Sequence, residues 1–146
     1  MSKIIKIGIT KTKGDEIIEV DFAEVVKGKG IVDDRKFAEN NGKERQITLI
    51  EIENINYFNN ISKTNIDPLN FRRNIITENI RLNSLVGKEF FVGSIKLKGH
   101  NLCRPCKYLQ EKLKQNNIVK EFLHKGGLRC EILTTGKINV GDIIKH

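Results

Sequence analysis

The stretch Gly99-His100-Asn101-Leu102-Cys103-Arg104-Pro105-Cys106-Lys107-Tyr108 gathers two of the three cysteines of the 146-residue chain with one of its two prolines and three basic side chains, His100, Arg104 and Lys107. The nucleophilic and metal-ligating form of cysteine is the thiolate, and a free thiol with a pKa of about 8.5 is mostly protonated at neutral pH. Arg104 and Lys107 favour the anion, and a helix starting just after Pro105 adds the positive end of its dipole. Cys106 is therefore the first candidate for chemistry, with Cys103 as a second thiol. Cys130 lies in the alternating run Leu128-Arg129-Cys130-Glu131-Ile132-Leu133 and reads as a small buried hydrophobe.

Cys103-x-x-Cys106 also has the spacing of a redox pair or of half a zinc site. A thioredoxin-type dithiol belongs between an early strand and a helix of an α/β unit, and here the pair falls late in a strand-rich pattern. A zinc set could draw on Cys130 with His100 or His124, but a second close pair is missing. No Ser-His-Asp set or paired-carboxylate site follows from spacing. Asp34, beside Arg35 in a glycine-punctuated loop, is the acidic residue to follow, although a local salt bridge would account for it.

The elements that must position these groups follow from periodicity. Ile4 to Thr10 alternates as a strand, with Ile5, Ile7 and Ile9 expected on one face. Thr12-Lys13-Gly14-Asp15 has turn chemistry, and Glu16 to Val26 reads as a second strand, making a hairpin. Lys27 to Phe37 is a loop carrying Gly28 and Gly30. Arg45 to Ile50 reads as a strand, and Glu51 to Asn59, with Ile52, Ile55 and Phe58 three residues apart, as an amphipathic helix. Phe71 to Thr77 reads as extended, so that Arg72 and Arg73 would point to opposite faces. Gly87, Gly93 and Gly99 suggest hairpin turns of a meander, Tyr108 to Asn116 a helix, and Leu128 to Ile144 further strands. No parallel crossover is evident. The sum is a mainly β, barrel-like single domain over 1–146, with two or three short helices.

The chain is long enough to bury a core without disulfide staples, and its odd cysteine count argues against a secreted disulfide framework. It has no signal-peptide pattern and no apolar run that spans a bilayer, so the expected location is the cytoplasm and no membrane partner is expected. A net charge of +8 favours anionic partners. Its basic residues are scattered, and seven Phe and two Tyr offer little for base stacking, so nucleic acid is not the expected partner, and a small phosphorylated ligand fits the charge equally well.

Seven motifs in order, Gly30-Ile31-Val32-Asp33-Asp34-Arg35, Arg45-Gln46-Ile47-Thr48-Leu49, Arg72-Arg73-Asn74-Ile75, Leu82-Asn83-Ser84-Leu85-Val86-Gly87, Cys103-Arg104-Pro105-Cys106, Gly126-Gly127-Leu128-Arg129-Cys130 and Gly136-Lys137-Ile138-Asn139-Val140-Gly141-Asp142, resemble the MOSC domain, named for the C-terminal domain of molybdenum-cofactor sulfurase. The resemblance runs from about residue 25 to the end. It implies a compact MOSC-type β-barrel and a pocket for the molybdenum cofactor, a molybdopterin. Cys106 maps to the family thiolate that binds molybdenum or carries sulfur. Arg35, Arg45, Arg72, Arg73 and Asn74 become the candidates for holding pterin and phosphate, with Gly126 and Gly127 supplying backbone donors. A soft thiolate suits molybdenum and guanidinium groups suit phosphate.

The implied function is cofactor handling or sulfur transfer, with the cofactor or its carrier proteins as partners. Two alternatives stand beside it: a molybdenum-dependent reductase of N-hydroxylated substrates, served by an electron-donor protein, and a non-catalytic interaction module. Family reductases usually carry segments beyond this domain. Asp33 stands where the family loop commonly has glycine.

Overall fold

The opening run of isoleucines forms strand β1 (Lys3–Ile9), but its apolar residues do not share one face. A bulge between Ile4 and Lys6 resets the alternation against strand β6 (Ile75–Glu78). Ile4, Ile7 and Ile9 consequently face one core cluster, whereas Ile5 packs against another. An inserted residue flips every side chain beyond it to the opposite face. The computed structural model describes residues 1–104, 110–111, 113–115 and 125–146.

The expected second strand is split at Asp21. Strand β2 (Ile18–Val20) pairs antiparallel with β1, and strand β3 (Phe22–Val26) leaves for another sheet, where it lies between β4 (Gly30–Ile31) and β10 (Gly136–Asn139). The larger sheet has the order β11 (Ile144–Lys145), β7 (Glu89–Val92), β8 (Ile95–Leu102), β9 (Leu128–Ile132), β5 (Ile47–Glu51), β6, β1, β2. It curls so far that its ends meet. Ile144 N–H donates to Ser2 O at 2.9 Å, Ile4 N–H to Asp142 O at 3.0 Å and Gly141 N–H to Ile4 O at 2.8 Å. The N-terminal half of β1 thus closes the curl onto the segment leading into β11, which satisfies backbone groups that an open edge would leave bare. The expected mainly β, barrel-like architecture is observed.

One feature departs from the expected meander: β5 and β6 pair in parallel. The link is a crossover through helix α1 (Ile52–Ser62) and a 3-10 turn at Pro68–Phe71. The helix forms because Ile52, Ile55 and Phe58 share one face. Ile55 and Phe58 are buried with Ile50, Leu69, Phe71 and Ile76, each large side chain contributing roughly 1.5–3 kcal/mol when fully buried. Phe58 and Phe71 meet edge to face, with centroids 5.9 Å apart. The helix ends at Lys63, in the left-handed region at φ 53°, where Thr64 N–H returns to Asn59 O at 2.9 Å. Covered by the helix on one side and by the barrel interior on the other, β5 and β6 are apolar on both faces, as parallel strands usually are.

Gly93 turns the β7–β8 hairpin at φ 59°. Gly99 lies inside β8 and is no turn: a Cβ there would run into the carbonyl oxygen of Leu85, so the glycine permits a close backbone approach. Most of the helix expected from Tyr108 to Asn116 lies outside the described residues. No helix among the described residues is long and apolar enough to cross a membrane.

Candidate functional site

The site is assembled by three segments that meet beside the end of β1. The first is the loop 31–37. Asp33 adopts φ 70°, a left-handed conformation that aspartate tolerates better than most residues, and so makes the turn without a glycine. Asp34 then clips the loop down. Its Oδ1 accepts the Thr10 backbone N–H at 2.9 Å and its Oδ2 accepts the Lys36 N–H at 3.2 Å, while Arg35 N–H donates to Thr10 O at 2.7 Å. No salt bridge involves Asp34 among the described residues; its carboxylate holds backbone.

The second segment is Arg72-Arg73-Asn74. It is not extended throughout. Asp67 caps the 3-10 turn by accepting the Leu69 N–H at 3.0 Å, Pro68 starts it, and Arg72 ends it in the left-handed region at φ 64°. This reversal sends the two arginines apart. Arg72 lines a hollow of about 20 Å³ with Thr10, Asp34, Arg35, Lys36 and Asn74, and also borders a neighbouring hollow of about 170 Å³ that reaches Asn70 and Leu113. Arg73 turns away and donates from Nε to Gly126 O at 2.8 Å. Asn74, 8% exposed, is bonded throughout. Its Oδ1 accepts from Thr48 N at 3.2 Å and Thr48 Oγ1 at 3.1 Å, and its Nδ2 donates to Gly8 O at 3.1 Å. It fixes β1, β5 and the start of β6 to one another.

The third segment runs from the end of β8 across to Gly126-Gly127. Cys103, 4% exposed, donates its backbone N–H to Gly127 O at 2.7 Å. Gly127 has φ 109°, and a Cβ there would collide with the carbonyl oxygen of Leu49. Both glycine carbonyls therefore tie down neighbours, Arg73 and Cys103. Arg45 is exposed and lines neither hollow. Cys106 lies outside the described residues.

The electrostatics converge on Lys36, which the sequence pattern does not single out. Burial lowers its amine from the usual 10.5, Arg35 and Arg73 lower it further, and Cys103 and Asp34 pull it back up. The loop, the arginine turn and the first cysteine thus share one field. None of Arg35, Lys36, Arg72 and Arg73 forms a salt bridge among the described residues. Three cations around one carboxylate, that of Asp34, leave an excess of positive charge that favours an anion. Cys130 is different. Burial first, and Cys103 second, push its thiol well up, so it stays protonated and packs as a hydrophobe, as its place in the sequence suggested.

His100 Nε2 lies 2.9 Å from Glu131 Oε1 across the β8–β9 pair. Among the described residues, no cluster of three or more His, Cys, Asp or Glu side chains is arranged to hold a metal ion.

The chain is thus a small, curled, mainly β protein with Arg35, Lys36 and Arg72 gathered around one hollow at the end of β1. Residues 34–145 match the MOSC domain, and the chain belongs to that family. The same fold is found in the YuaD protein of Bacillus subtilis, with a TM-score of 0.83 at 20% identity, covering 99% of this chain and 94% of that one. YiiM from Geobacillus stearothermophilus superposes with a TM-score of 0.81 at 17% identity, over 99% of this chain and 74% of its own. YiiM from Escherichia coli gives 0.71 at 18%, over 99% and 69%. No curated protein matches the sequence significantly.

Proposed function

We propose that this chain binds the molybdenum cofactor and acts in its handling or in sulfur transfer. The observation that supports the reading is the group of three cations, Arg35, Lys36 and Arg72, that outnumber the Asp34 carboxylate around one hollow, with Cys103 near enough to act on the Lys36 amine. Their chemistry fits the phosphate of a molybdopterin, whose charge would offset the burial, and then the Arg35 and Arg73 charges, that lower the Lys36 amine. Cys106 supplies the thiolate for the metal or for a carried sulfur, and Cys103 is the second thiol of the pair.

When bound, the group would supply a redox-active, thiophilic metal. The chain's own residues have separate tasks. Asp34 holds the 31–37 loop in place, Asn74 fixes the floor, and Arg73 secures the Gly126-Gly127 turn by its bond to the carbonyl of Gly126. Partners on this reading are proteins that deliver or receive the cofactor.

The test is the molybdenum and pterin content of protein purified anaerobically from a cofactor-producing host, wild type beside Cys106→Ser and Arg72→Ala. Molybdenum and pterin in the wild type, with metal lost from Cys106→Ser and pterin reduced in Arg72→Ala, is the expected result. A folded wild type carrying neither overturns the proposal.

A further inference from the structure

A second concavity, of about 520 Å³, lies where the chain passes from the larger sheet to the smaller. It is separate in chemistry from the cationic hollow. Residues 19–24 all line it in succession. Successive side chains of a strand point to opposite faces, so a groove touching every residue follows the backbone and not one face. At its β2 end that backbone is an edge, whereas Phe22, Ala23 and Glu24 lie in β3 and pair with β10. β2 pairs only with β1, and among the described residues no other backbone hydrogen bond is made by Ile18, Glu19 or Val20.

The floor is apolar, with buried Ile9, Ala23 and Ile31, and Phe22 stands beside it 46% exposed. The rim is acidic. Glu19, Asp21, Glu24 and Asp33 line the groove, no basic residue does, and none of the four forms a salt bridge among the described residues. Four carboxylates together are unexpected in a chain of net charge +8. The only cation in contact with a lining side chain among the described ring contacts is Lys137, whose Nζ sits 4.2 Å from the Phe22 ring centroid.

We propose that this groove takes an extended, lysine- or arginine-rich segment of a partner protein, which adds a strand to the free edge of β2 and lays its apolar side chains over Val20 and Phe22. An edge strand offers unpaired N–H and C=O groups that only an extended chain can match. The alternation of a strand lets one set of side chains meet the apolar floor while the other meets the carboxylates. The rim's charge selects a basic segment, and repulsion between two chains of +8 disfavours a second copy as occupant.

The probe is a short fluorescein-labelled peptide alternating lysine with valine, followed by anisotropy against the whole protein. Controls replace lysine by glutamate, or N-methylate alternate backbone nitrogens. The expected result is saturable binding of the lysine peptide, with affinity falling about tenfold or more, some 1.4 kcal/mol, on N-methylation and in a Glu19→Lys/Glu24→Lys variant. Both glutamates are exposed, and circular dichroism verifies that the variant folds. Arg72→Ala should bind the peptide as the wild type does, which separates this groove from the cofactor reading. Absence of binding, equal binding of the glutamate or N-methylated peptide, or an unchanged affinity in the double variant would overturn the proposal. So would self-association of the wild type in sedimentation that the double variant abolishes, because the occupant would then be a second copy.

Discussion

Asp34 Oδ1 accepts the backbone N–H of Thr10 at 2.9 Å, and through this bond the loop that carries Arg35 and Lys36 is held against the end of β1. The carboxylate is buried and also takes the Lys36 N–H. Asp34→Ala leaves two partly buried N–H groups without acceptors, each costing about 1–3 kcal/mol. We expect a lower urea midpoint and, at temperatures where the variant is folded, weaker retention of pterin. A variant as stable as the wild type would show that the loop is held by other contacts.

Asn74 has the same kind of role on the opposite side of the hollow. Asn74→Ala removes the link between Gly8 and Thr48 and opens a polar void, so destabilisation on the order of 2 kcal/mol or more is expected in equilibrium unfolding. Asn74→Asp sets a carboxylate oxygen against the Gly8 carbonyl in place of the amide donor. It should also be destabilising, and more so at neutral pH than at acid pH, where the carboxyl can donate.

Lys36 gives a pH dependence of definite sign. Its amine is lowered in the folded protein, by burial first and by Arg35 and Arg73 next, from the usual 10.5. The unfolded chain therefore binds the proton more readily, and stability contributed by this group rises with pH between the lowered value and 10.5. At neutral pH the half-buried ammonium is a net cost. Lys36→Met should be more stable than the wild type in urea near pH 7, with the advantage shrinking as the pH approaches 10.5. The same variant should gain less in melting temperature from added pyrophosphate. A loss of stability near pH 7 would contradict the cation crowding.

Gly127 and Gly99 each lie against a backbone carbonyl, of Leu49 and of Leu85, where a Cβ has no room. Gly127 is in addition at φ 109°, a conformation costly for any L side chain. Gly127→Ala should lower the thermal midpoint more than Gly141→Ala, whose φ is also positive but whose Cβ would meet open space. Paired thermal melts by circular dichroism check this. Equal losses would mean that backbone conformation, and not the clash, dominates.

Cys130 should be unreactive in the folded protein. Its thiol is fully buried and pushed well above the ordinary thiol range. Iodoacetamide at mildly alkaline pH should leave Cys130 unmodified by mass spectrometry until denaturant is added. Modification of Cys130 at the rate of an exposed thiol would require the barrel to open there.

Much of this protein follows from the order of residue types along the chain. Period-two alternation is local, so β1, β5 and β9 are legible to within a few residues, as is the amphipathic face of α1, whereas β8 runs on through Gly99, where a turn is expected. The motif order from Gly30 to Asp142 resembles the family that residues 34–145 match. Cys130, lying in an alternating strand, is legible as core.

Tertiary structure decided what depends on neighbours distant in sequence. The bulge that moves Ile5 away from Ile7 is a matter of pairing with β6, and the break at Asp21 arises because two sheets compete for one strand. The crossover through α1 makes a parallel pair that periodicity cannot distinguish from a hairpin, since both need only an apolar strand. The fate of Arg72 and Arg73 was decided by a left-handed residue ending a 3-10 turn, not by strand alternation. Lys36 carries no signal in its own segment. Its significance comes first from burial, which only the closed fold provides, then from Arg35 beside it and from Arg73, dozens of residues away.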